Sequence, residues 1–494
     1  MITLTILVPI FAGIFLLCIP KWKRRSFLCG YVAFFLLLTG GLLTATLLTA
    51  EDTPIVVGQL NEELFILFRM DRLGRFFAGI TTIVWVLAGL FSFSYMSHEQ
   101  KEKRYYGFYL LVYGILLGLD LSGNLVTFYL FYELLTLTSM PLVLHSGTKE
   151  AIMAGIKYLL FSFAGAYMAL FGLYFVNHYA GTLIFTPGGV LPAALDEGTK
   201  GLLLFTAFIM LLGFGVKAGM FPLHAWLPTA HPVAPAPASA ALSGIIVKAG
   251  VMGCIRTVYE IFGADFLKGT WVQQVWLVLI LLTILIGSAM AYREKGLKKR
   301  LAYSTVSQVS YILFGIALLN ADGITGALLH VSAHALTKCG LFLIAGAIIF
   351  QTRKTRVGEL KGIGKQMPVI MGCYVLLSLS LIGIPPFAGF ISKWYLGLGS
   401  IAETAPGLGL VGMAVLMVSA LLTAGYLLPV AINAFLPGTT EGVPSGQGTM
   451  KVPVLMEITV VILTLLITLL GMFPTWLLEF FRNIANVMLK EVAG

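Results

Sequence analysis

The feature that most constrains this chain is a succession of apolar runs, each close to the length of a membrane-spanning helix. A helix needs about 20 mainly apolar residues to cross the hydrocarbon core of a bilayer. Charged residues make up only 11% of the chain, whereas globular proteins have about a quarter. The pattern predicts an all-α polytopic membrane protein with about fourteen transmembrane helices. The predicted spans are 2–20, 28–50, 74–96, 106–122, 124–145, 158–180, 201–222, 239–262, 271–292, 301–320, 324–350, 367–390, 408–436 and 452–480.

Basic residues are unevenly shared between the two sides of these predicted spans. Loops after odd-numbered spans hold 20 of the 32 Lys and Arg residues, whereas loops after even-numbered spans, with the C-terminal tail, hold 7. By the positive-inside rule, the odd-numbered loops lie in the cytoplasm and both termini lie outside. The net charge of +10 is therefore interpreted as a topology signal, and no nucleic-acid partner is expected. One of these cytoplasmic links, PTAHPVAPAPASA (228–240), is expected to be a rigid turn.

Several ionisable residues lie inside the predicted spans. A charge at the bilayer centre costs about 2.5–3.5 kcal/mol on insertion scales, so such residues are functional candidates. A local ion pair with Glu260, four residues further on, accounts for Arg256. The remaining candidates for a functional site are Glu133, Lys217, Lys248, His330, His334, Lys338 and Lys393.

The spacing of three of these candidates predicts that they share one helix face. His330, His334 and Lys338 are four residues apart, so they form a stripe along a helix. A stripe that faces the interior of a bundle is suited to relaying protons. Two alternatives stay open, in which the histidines are hydrogen-bonded packing residues or begin a zinc site. No neighbouring carboxylate or cysteine completes a tetrahedral zinc site, so neither a metal nor a cofactor is expected in this chain.

Two of the spans carry residues that break helices. The predicted breaks are at Gly215 and Pro222 in GFGVKAGMFPLHAWLP (213–228) of span seven, and at Pro385 and Pro386 in GIPPFAGFISKW (383–394) of span twelve. Interrupted helices free backbone groups, which is tolerated in a membrane only where protein or water satisfies them. Each break has a lysine close by in the sequence. Such a pair is typical of transporters built from two inverted repeats with the ion site at their centre.

These motifs resemble those of a known family. The chain resembles the antiporter-like subunits shared by respiratory complex I, membrane-bound hydrogenases and multisubunit Mrp cation/proton antiporters. The matching stretches run in the expected order from span five to span twelve. They include LFYELLTLTS (130–139), KAGMFPLHAWLPTAHPVAPAPASAALSGIIVKAGV (217–251), HVSAHALTKCGLFLIAG (330–346) and GIPPFAGFISKW (383–394).

The resemblance implies a domain organisation and residue roles. Two inverted five-helix repeats would occupy 106–262 and 271–436, after three N-terminal helices (1–105) and before helix fourteen with a short tail (452–494). By the family pattern, Glu133 and Lys217 would form a charge-coupling pair, and Lys248 would be the central relay. His334 and Lys338 would lie between Lys248 and the exit-side Lys393. Subunits of this family carry no redox cofactor, so iron–sulfur clusters, with nickel–iron in the hydrogenase case, are expected in partner subunits.

The expected function is that of a proton-translocating membrane subunit of a prokaryotic energy-converting oxidoreductase, resembling complex I or a membrane-bound hydrogenase. Its expected location is the inner (plasma) membrane of a bacterium or archaeon. Expected partners are other membrane subunits, a hydrophilic redox arm, the lipid bilayer and protons, with Na⁺ left open. The alternative within the family is a D-type subunit of an Mrp Na⁺/H⁺ antiporter. An alternative of another class is a structural scaffold whose charges only organise packing.

Overall fold

The computed structural model describes residues 1–20, 24–59, 61, 64–402, 407–436 and 449–490, and most of them are helical. Within these ranges, ten helices are long and apolar enough to cross a membrane, and two apolar helices are shorter. Every predicted span overlaps a helix, which confirms the all-α membrane class, while the count of fourteen crossings stays a prediction. Residues 491–494, the end of the predicted C-terminal unit, lie outside the described residues.

The structure gives the following element bounds. The helices are α1 (Ile2–Cys18), α2 (Arg25–Thr49), α3 (Arg72–Tyr95), α4 (Glu102–Asp120), α5 (Leu125–Val143), α6 (Lys149–Tyr179), α7 (Glu197–Ala218), α8 (Leu227–Val233), α9 (Ala236–Ala241), α10 (Val247–Arg256), α11 (Ala264–Leu267), α12 (Trp271–Arg293), α13 (Leu297–Ala317), α14 (Ala321–Thr352), α15 (Ile363–Gln366), α16 (Pro368–Ile382), α17 (Ala388–Ile401), α18 (Leu408–Phe435), α19 (Val454–Met472) and α20 (Thr475–Met488). Two strands, β1 (Ile55–Gln59) and β2 (Phe65–Phe68), pair antiparallel. The π-helical stretch Leu242–Ile246 joins α9 to α10, and a second π-helical stretch, Thr257–Phe262, extends α10, so that one helical span runs over Ala236–Phe262.

The link at 228–240, which the sequence predicts to be a turn, is instead mostly helical. It contains α8 and α9, each with a proline in its first turn, where the missing N–H is no loss. All residues of α9 are buried, so this link is folded into the bundle. Span eight therefore begins at Ala236, earlier than predicted.

The C-terminal run also differs from the prediction, because it forms two helices. α19 ends at Met472 and α20 begins at Thr475, directly after Pro474; a proline cannot continue a helix that precedes it. α20 buries one face, which includes Leu477, Phe481 and Ile484, and packs against α14. The predicted span 452–480 is therefore shorter, and α20 is a separate amphipathic helix.

Helix α14 lies at the centre of the bundle. It packs against α3, α9, α13, α16, α17, α19 and α20. Every residue from Gly323 to Ile348 is buried. A Cβ atom added to Gly326 would lie only 2.7 Å from the Leu396 nitrogen, so glycine is needed for the close approach of α17. The ionisable side chains of this buried stretch, His330, His334 and Lys338, therefore face protein on all sides, and not lipid.

The two interrupted spans end in the same way. α7 stops at Ala218 because Gly219 adopts φ +81°, and Met220 N donates to Gly215 O at 2.8 Å. α16 stops at Ile382 because Gly383 adopts φ +95°, and Ile384 N donates to Leu379 O at 3.1 Å. Both ends are Schellman motifs, in which a glycine with positive φ closes the helix.

This geometry corrects one predicted break and places the others. Gly215 lies inside α7, so it is not a break; the interruption comes at Gly219, because only the positive φ there ends the helix. Pro222 lies in the link after α7, and Pro385 and Pro386 lie in the link between α16 and α17. The matching ends agree with a repeated architecture, but the repeat boundaries stay a prediction.

Candidate functional site

Three titratable side chains form a buried stripe along α14. His330, His334 and Lys338 are 1%, 0% and 0% exposed, respectively. The two imidazole rings are 6.1 Å apart between centroids, one helical turn from each other. The helix therefore brings these side chains together on one face, as the four-residue spacing predicts.

Lys248 meets this stripe from the opposite side of the interior. Its Nζ atom is 2.6 Å from His334 Nδ1 and donates to Ser243 O at 2.7 Å. Ser243 belongs to the π-helical stretch that precedes α10, and such stretches are frequent at functional sites. A lysine and a histidine in direct hydrogen-bond contact, both almost fully buried, are arranged to share a proton.

At the other end of the stripe, His330 connects to α17. His330 Nδ1 is 2.9 Å from Ser392 Oγ, and the His330 ring stacks on Tyr311 at 5.4 Å between centroids. The next residue, Lys393, places its ammonium 5.2 Å from the centre of the same Tyr311 ring. Lys393 Nζ also donates to Leu381 O and Ile382 O at 2.7 Å, which satisfies carbonyls left free where α16 ends. Lys393 is half-buried.

Lys338 turns towards α13. Its Nζ atom donates to Ser304 Oγ at 2.6 Å and to Leu301 O at 3.1 Å. Ser304 Oγ is in turn 2.6 Å from the Tyr426 hydroxyl on α18. This branch leaves the line of His330 and His334 and leads into a network of hydroxyl groups.

Lys217 and Glu133 are neighbours without a direct bond. Lys217 Nζ donates to Thr136 Oγ1 at 2.7 Å and to Tyr132 O at 3.3 Å, and it lies 4.2 Å from the centre of the Tyr132 ring. Glu133 instead accepts a hydrogen bond from Tyr129 at 3.1 Å. Lys217 is fully buried, whereas Glu133 is half-buried next to the exposed side chain of Leu134. The ammonium therefore binds residues on either side of Glu133 along α5, and not Glu133 itself.

Lys217 and Lys248 come from two helices in close contact. A Cβ atom added to Gly250 on α10 would lie 2.5 Å from Phe214 O and 3.1 Å from the carbonyl carbon of Lys217. Glycine at this position therefore permits α7 and α10 to approach closely, as small residues do between membrane helices. The hydrogen bonds of Lys217 go to α5, whereas those of Lys248 go to α14 or to its own helical span. We call the row of side chains from Glu133 and Lys217 through Lys248 and the α14 stripe to Lys393 the polar line. Between Lys217 and Lys248, the helix that binds the lysines of this line changes from α5 to α14.

A second buried cluster lies at the opposite end of the bundle from α9. Arg256 Nη1 is 2.5 Å from Glu260 Oε2, which confirms the predicted local pair, and 2.7 Å from Asp71 Oδ2. The bond to Asp71 has no signal in the sequence, because Asp71 precedes α3 and is far from Arg256 along the chain. Asp120 is also buried, and accepts a hydrogen bond from Thr81 at 2.7 Å.

Several side chains that contact the candidate residues were not predicted from the sequence. Ser304 and Tyr311 stand in a polar stretch that fits ordinary helix–helix packing equally well. Ser392, Thr136 and Tyr426 are hydroxyl residues of common types within apolar runs. Their roles depend on which helix they face, and composition carries no signal for that.

The chemistry available at this site is proton exchange between nitrogen and oxygen atoms. Lysine and histidine each exist in a charged and a neutral form, and a hydrogen bond between them is compatible with the proton on either partner. Within the described ranges, no group of three or more His, Cys, Asp or Glu side chains is placed to hold a metal ion. The fold and this interior define a polytopic helical membrane protein with a buried line of lysines and histidines, and intramembrane charges of this kind mark ion pathways.

Comparison with known proteins places the chain in a family. Residues 122–423 match the family described as NADH:quinone oxidoreductase/Mrp antiporter, TM. The chain is 36% identical to the NADH-quinone oxidoreductase subunit N of Desulforudis audaxviator over 76% of this chain and 75% of that protein. The chain belongs to this proton-antiporter membrane family and is an antiporter-like membrane subunit.

Two further comparisons cover almost the whole chain. It is 28% identical to the D subunit of the Na⁺/H⁺ antiporter of Bacillus subtilis, over 99% of this chain and 97% of that protein. It also superposes on a chain of respiratory complex I from Thermus thermophilus with a TM-score of 0.84 and 24% identity, covering 100% of both chains. The fold is thus that of membrane subunits from multisubunit complexes.

Proposed function

We propose that this chain is a proton-translocating subunit of a redox-driven membrane complex in the plasma membrane of a bacterium or archaeon. The similarity to subunit N of an NADH-quinone oxidoreductase and the uneven loop charges support this reading. In this proposal the basic loops lie in the cytoplasm, both termini lie outside, and other membrane subunits and a hydrophilic redox arm with iron–sulfur clusters complete the complex. The two predicted inverted repeats would each supply one half of the polar line.

The contact between Lys248 and His334 is the observation that carries the proposal. Their 2.6 Å hydrogen bond joins the two predicted repeats in the interior, where neither side chain reaches solvent. A proton on Lys248 is able to pass to neutral His334, and from there along the stripe through His330 towards Lys393. Lys338 stores or releases a proton on the side branch through Ser304.

Glu133 and Lys217 act in this proposal as the gate. Lys217 binds Thr136, which is one helical turn from Glu133 on α5. If the Lys217 ammonium moved from Thr136 to Glu133, the protonated form of Lys217 would become more stable, because an opposite charge nearby favours ionisation. A partner subunit that changes the charge or position of half-buried Glu133 would thereby control whether Lys217 holds its proton.

Replacing Lys248 with Met tests the proposal. Proton uptake into inverted membrane vesicles, followed by a pH-sensitive dye, should be abolished while the complex still assembles. Lys268→Met is the matched control, because Lys268 is exposed outside the predicted spans, and it should transport at the wild-type rate. Full proton uptake with Lys248→Met in an assembled complex would refute the proposed path. Loss of assembled complex, with unchanged transport per complex, would instead favour a scaffold.

The second candidate function is that of a D-type subunit in an Mrp Na⁺/H⁺ antiporter. The near-complete alignment with the antiporter protein of Bacillus subtilis favours it. Purification of the native complex in mild detergent, with mass spectrometry of its partners and iron and nickel analysis, separates the two candidates. Iron–sulfur subunits in fixed ratio support the redox complex, and nickel among them indicates a hydrogenase. A metal-free set of small membrane subunits supports the antiporter and overturns our first choice.

A further inference from the structure

A large cavity opens at the end of the bundle where the loops between α3 and α4, α12 and α13, and α14 and α16 gather. Its volume is about 750 Å³. Its walls carry both signs of charge, from Glu99 and Glu294 on one hand and Lys298 and Arg356 on the other, together with the backbone of 232–235. In the proposed orientation this cavity faces the cytoplasm, the side from which protons are taken up.

Lys298 separates the cavity from the interior. It is 9% exposed, and its Nζ atom donates to Pro232 O at 3.2 Å and to Ala234 O. Pro232 is in the last turn of α8 and Ala234 is in the link to α9, so Lys298 holds this segment against the first turn of α13. Lys298 lies three residues before Leu301, the residue whose carbonyl accepts from Lys338.

His231 lies directly behind this segment. It is fully buried, and within the described part of the chain neither ring nitrogen has a hydrogen-bond partner. A buried polar group without a partner costs about 1–3 kcal/mol, so stability alone does not account for an imidazole here. The charges that act on it come from Lys298 on α13 and Lys338 on α14.

The position of His231 continues the stripe of α14. Its ring stacks on Phe342 at 4.6 Å between centroids with an interplanar angle of 21°. Phe342 is four residues after Lys338 and therefore lies on the same face of α14. His231 thus lies one turn beyond Lys338, between the stripe and the cavity wall formed by Lys298.

We propose that His231 is the proton-entry group that connects the 750 Å³ cavity, past Lys298, to Lys338 and the central stripe. This inference rests on the proposed proton translocation. It adds a route by which protons from the cytoplasm reach the second predicted repeat at Lys338. The proton arrives from water in the cavity, binds one ring nitrogen of His231, and leaves from the imidazole towards neutral Lys338. An O–H bond of the donating water or hydronium breaks as an N–H bond forms on His231, and this N–H bond breaks as a new one forms on Lys338 Nζ.

The test is chemical rescue in vesicles that contain the assembled complex. His231→Ala should slow proton uptake by about a hundredfold, the lower end of the range for losing a positioned proton carrier. Imidazole added on the cavity side should restore most of the rate, because it fits the cavity and carries protons. His178→Gln, which changes an exposed histidine in the last turn of α6, is the control and should transport normally.

Three results would overturn the inference, and they are separable from failure of the proposed function. A wild-type rate with His231→Ala, alongside inactive Lys248→Met, removes the entry role and leaves the proton path in place. A slow His231→Ala that imidazole does not restore makes His231 a packing residue. Full transport by both His231→Ala and Lys248→Met refutes the proposed proton path and the entry role of His231 together. Should His231→Ala fail to assemble, His231→Gln keeps the volume without a titratable ring, and a wild-type rate with it overturns the inference.

Discussion

Replacing Arg256 with Met removes the cation that a buried carboxylate, Glu260, shares with a largely buried one, Asp71. One guanidinium nitrogen lies 2.5 Å from Glu260 and 2.7 Å from Asp71. The side chains of Arg256, Glu260 and Asp71 are 1%, 6% and 14% exposed, so water screens the cluster weakly. Without the guanidinium, two like charges face each other in the protein.

The cost of this change follows from two independent arguments. At an effective dielectric constant of about 20, each contact contributes about 6 kcal/mol of attraction, most of which offsets desolvation. Removing one member of a buried ion pair costs about 3–5 kcal/mol in measured cases. Protonation of one of the two carboxylates would remove the repulsion between them, which limits this penalty. We therefore expect Arg256→Met to lower the free energy of unfolding by about 3–5 kcal/mol at pH 7.

The same reasoning gives a pH dependence. Protonation of a carboxyl group costs about 2.7 kcal/mol less at pH 5 than at pH 7. The deficit of the variant relative to the wild type should therefore shrink as the pH falls. Unfolding by SDS titration in mixed micelles, followed by circular dichroism at both pH values, measures this difference.

Two controls make the experiment decisive. Arg482→Met removes an exposed contact to Asp322 of 3.4 Å, in which the arginine is 57% exposed, and should cost less than about 1 kcal/mol. The triple variant Arg256→Met, Asp71→Asn, Glu260→Gln removes all three charges and should recover most of the loss. A cost for Arg256→Met no larger than that for Arg482→Met would refute the reasoning, because it would show that the cluster is well solvated.

Two further predictions concern the ends of the polar line. Gly219→Ala should destabilise the protein by more than the roughly 1–2 kcal/mol that a left-handed conformation costs a non-glycine residue, because a Cβ atom there would also lie 2.3 Å from Leu227 Cδ1. Gly147→Ala, at φ +71° with open space around it, should show the conformational cost alone; equal losses in thermal unfolding would contradict the steric argument. Tyr311→Leu should slow proton uptake because Lys393 loses the ring face 5.2 Å from its ammonium, whereas Tyr311→Phe keeps the ring and should transport close to normally. Equal rates for the two Tyr311 variants would show that the ring has no part in transport.

The class of protein and the candidate residues were predictable from the sequence because the signals are local. A run of apolar residues has the length of a membrane crossing wherever it is placed, and a lysine such as Lys248 within such a run is costly in any arrangement. The spacing of His330, His334 and Lys338 also specifies a shared helix face without knowledge of neighbours. Helix ends were less predictable, because a run with several glycines does not show which of them adopts positive φ. α7 stops at Gly219 and not at Gly215, since positive φ at Gly219, and not composition, ends the helix.

The sequence by itself determined which residues are unusual, since hydropathy and helical period depend only on near neighbours in the chain. Only the tertiary structure decided which of these residues meet. Lys248 and His334 are 86 positions apart and form a hydrogen bond of 2.6 Å, whereas Lys217 binds Thr136 and not the expected Glu133. In the sequence, His231 looks like a residue of a turn; in the structure, it belongs to α8 and its ring packs against Phe342 of α14. Hydrogen bonds act over a few ångströms, so they depend on how closely whole helices pack, and that distance is set by many contacts across the bundle.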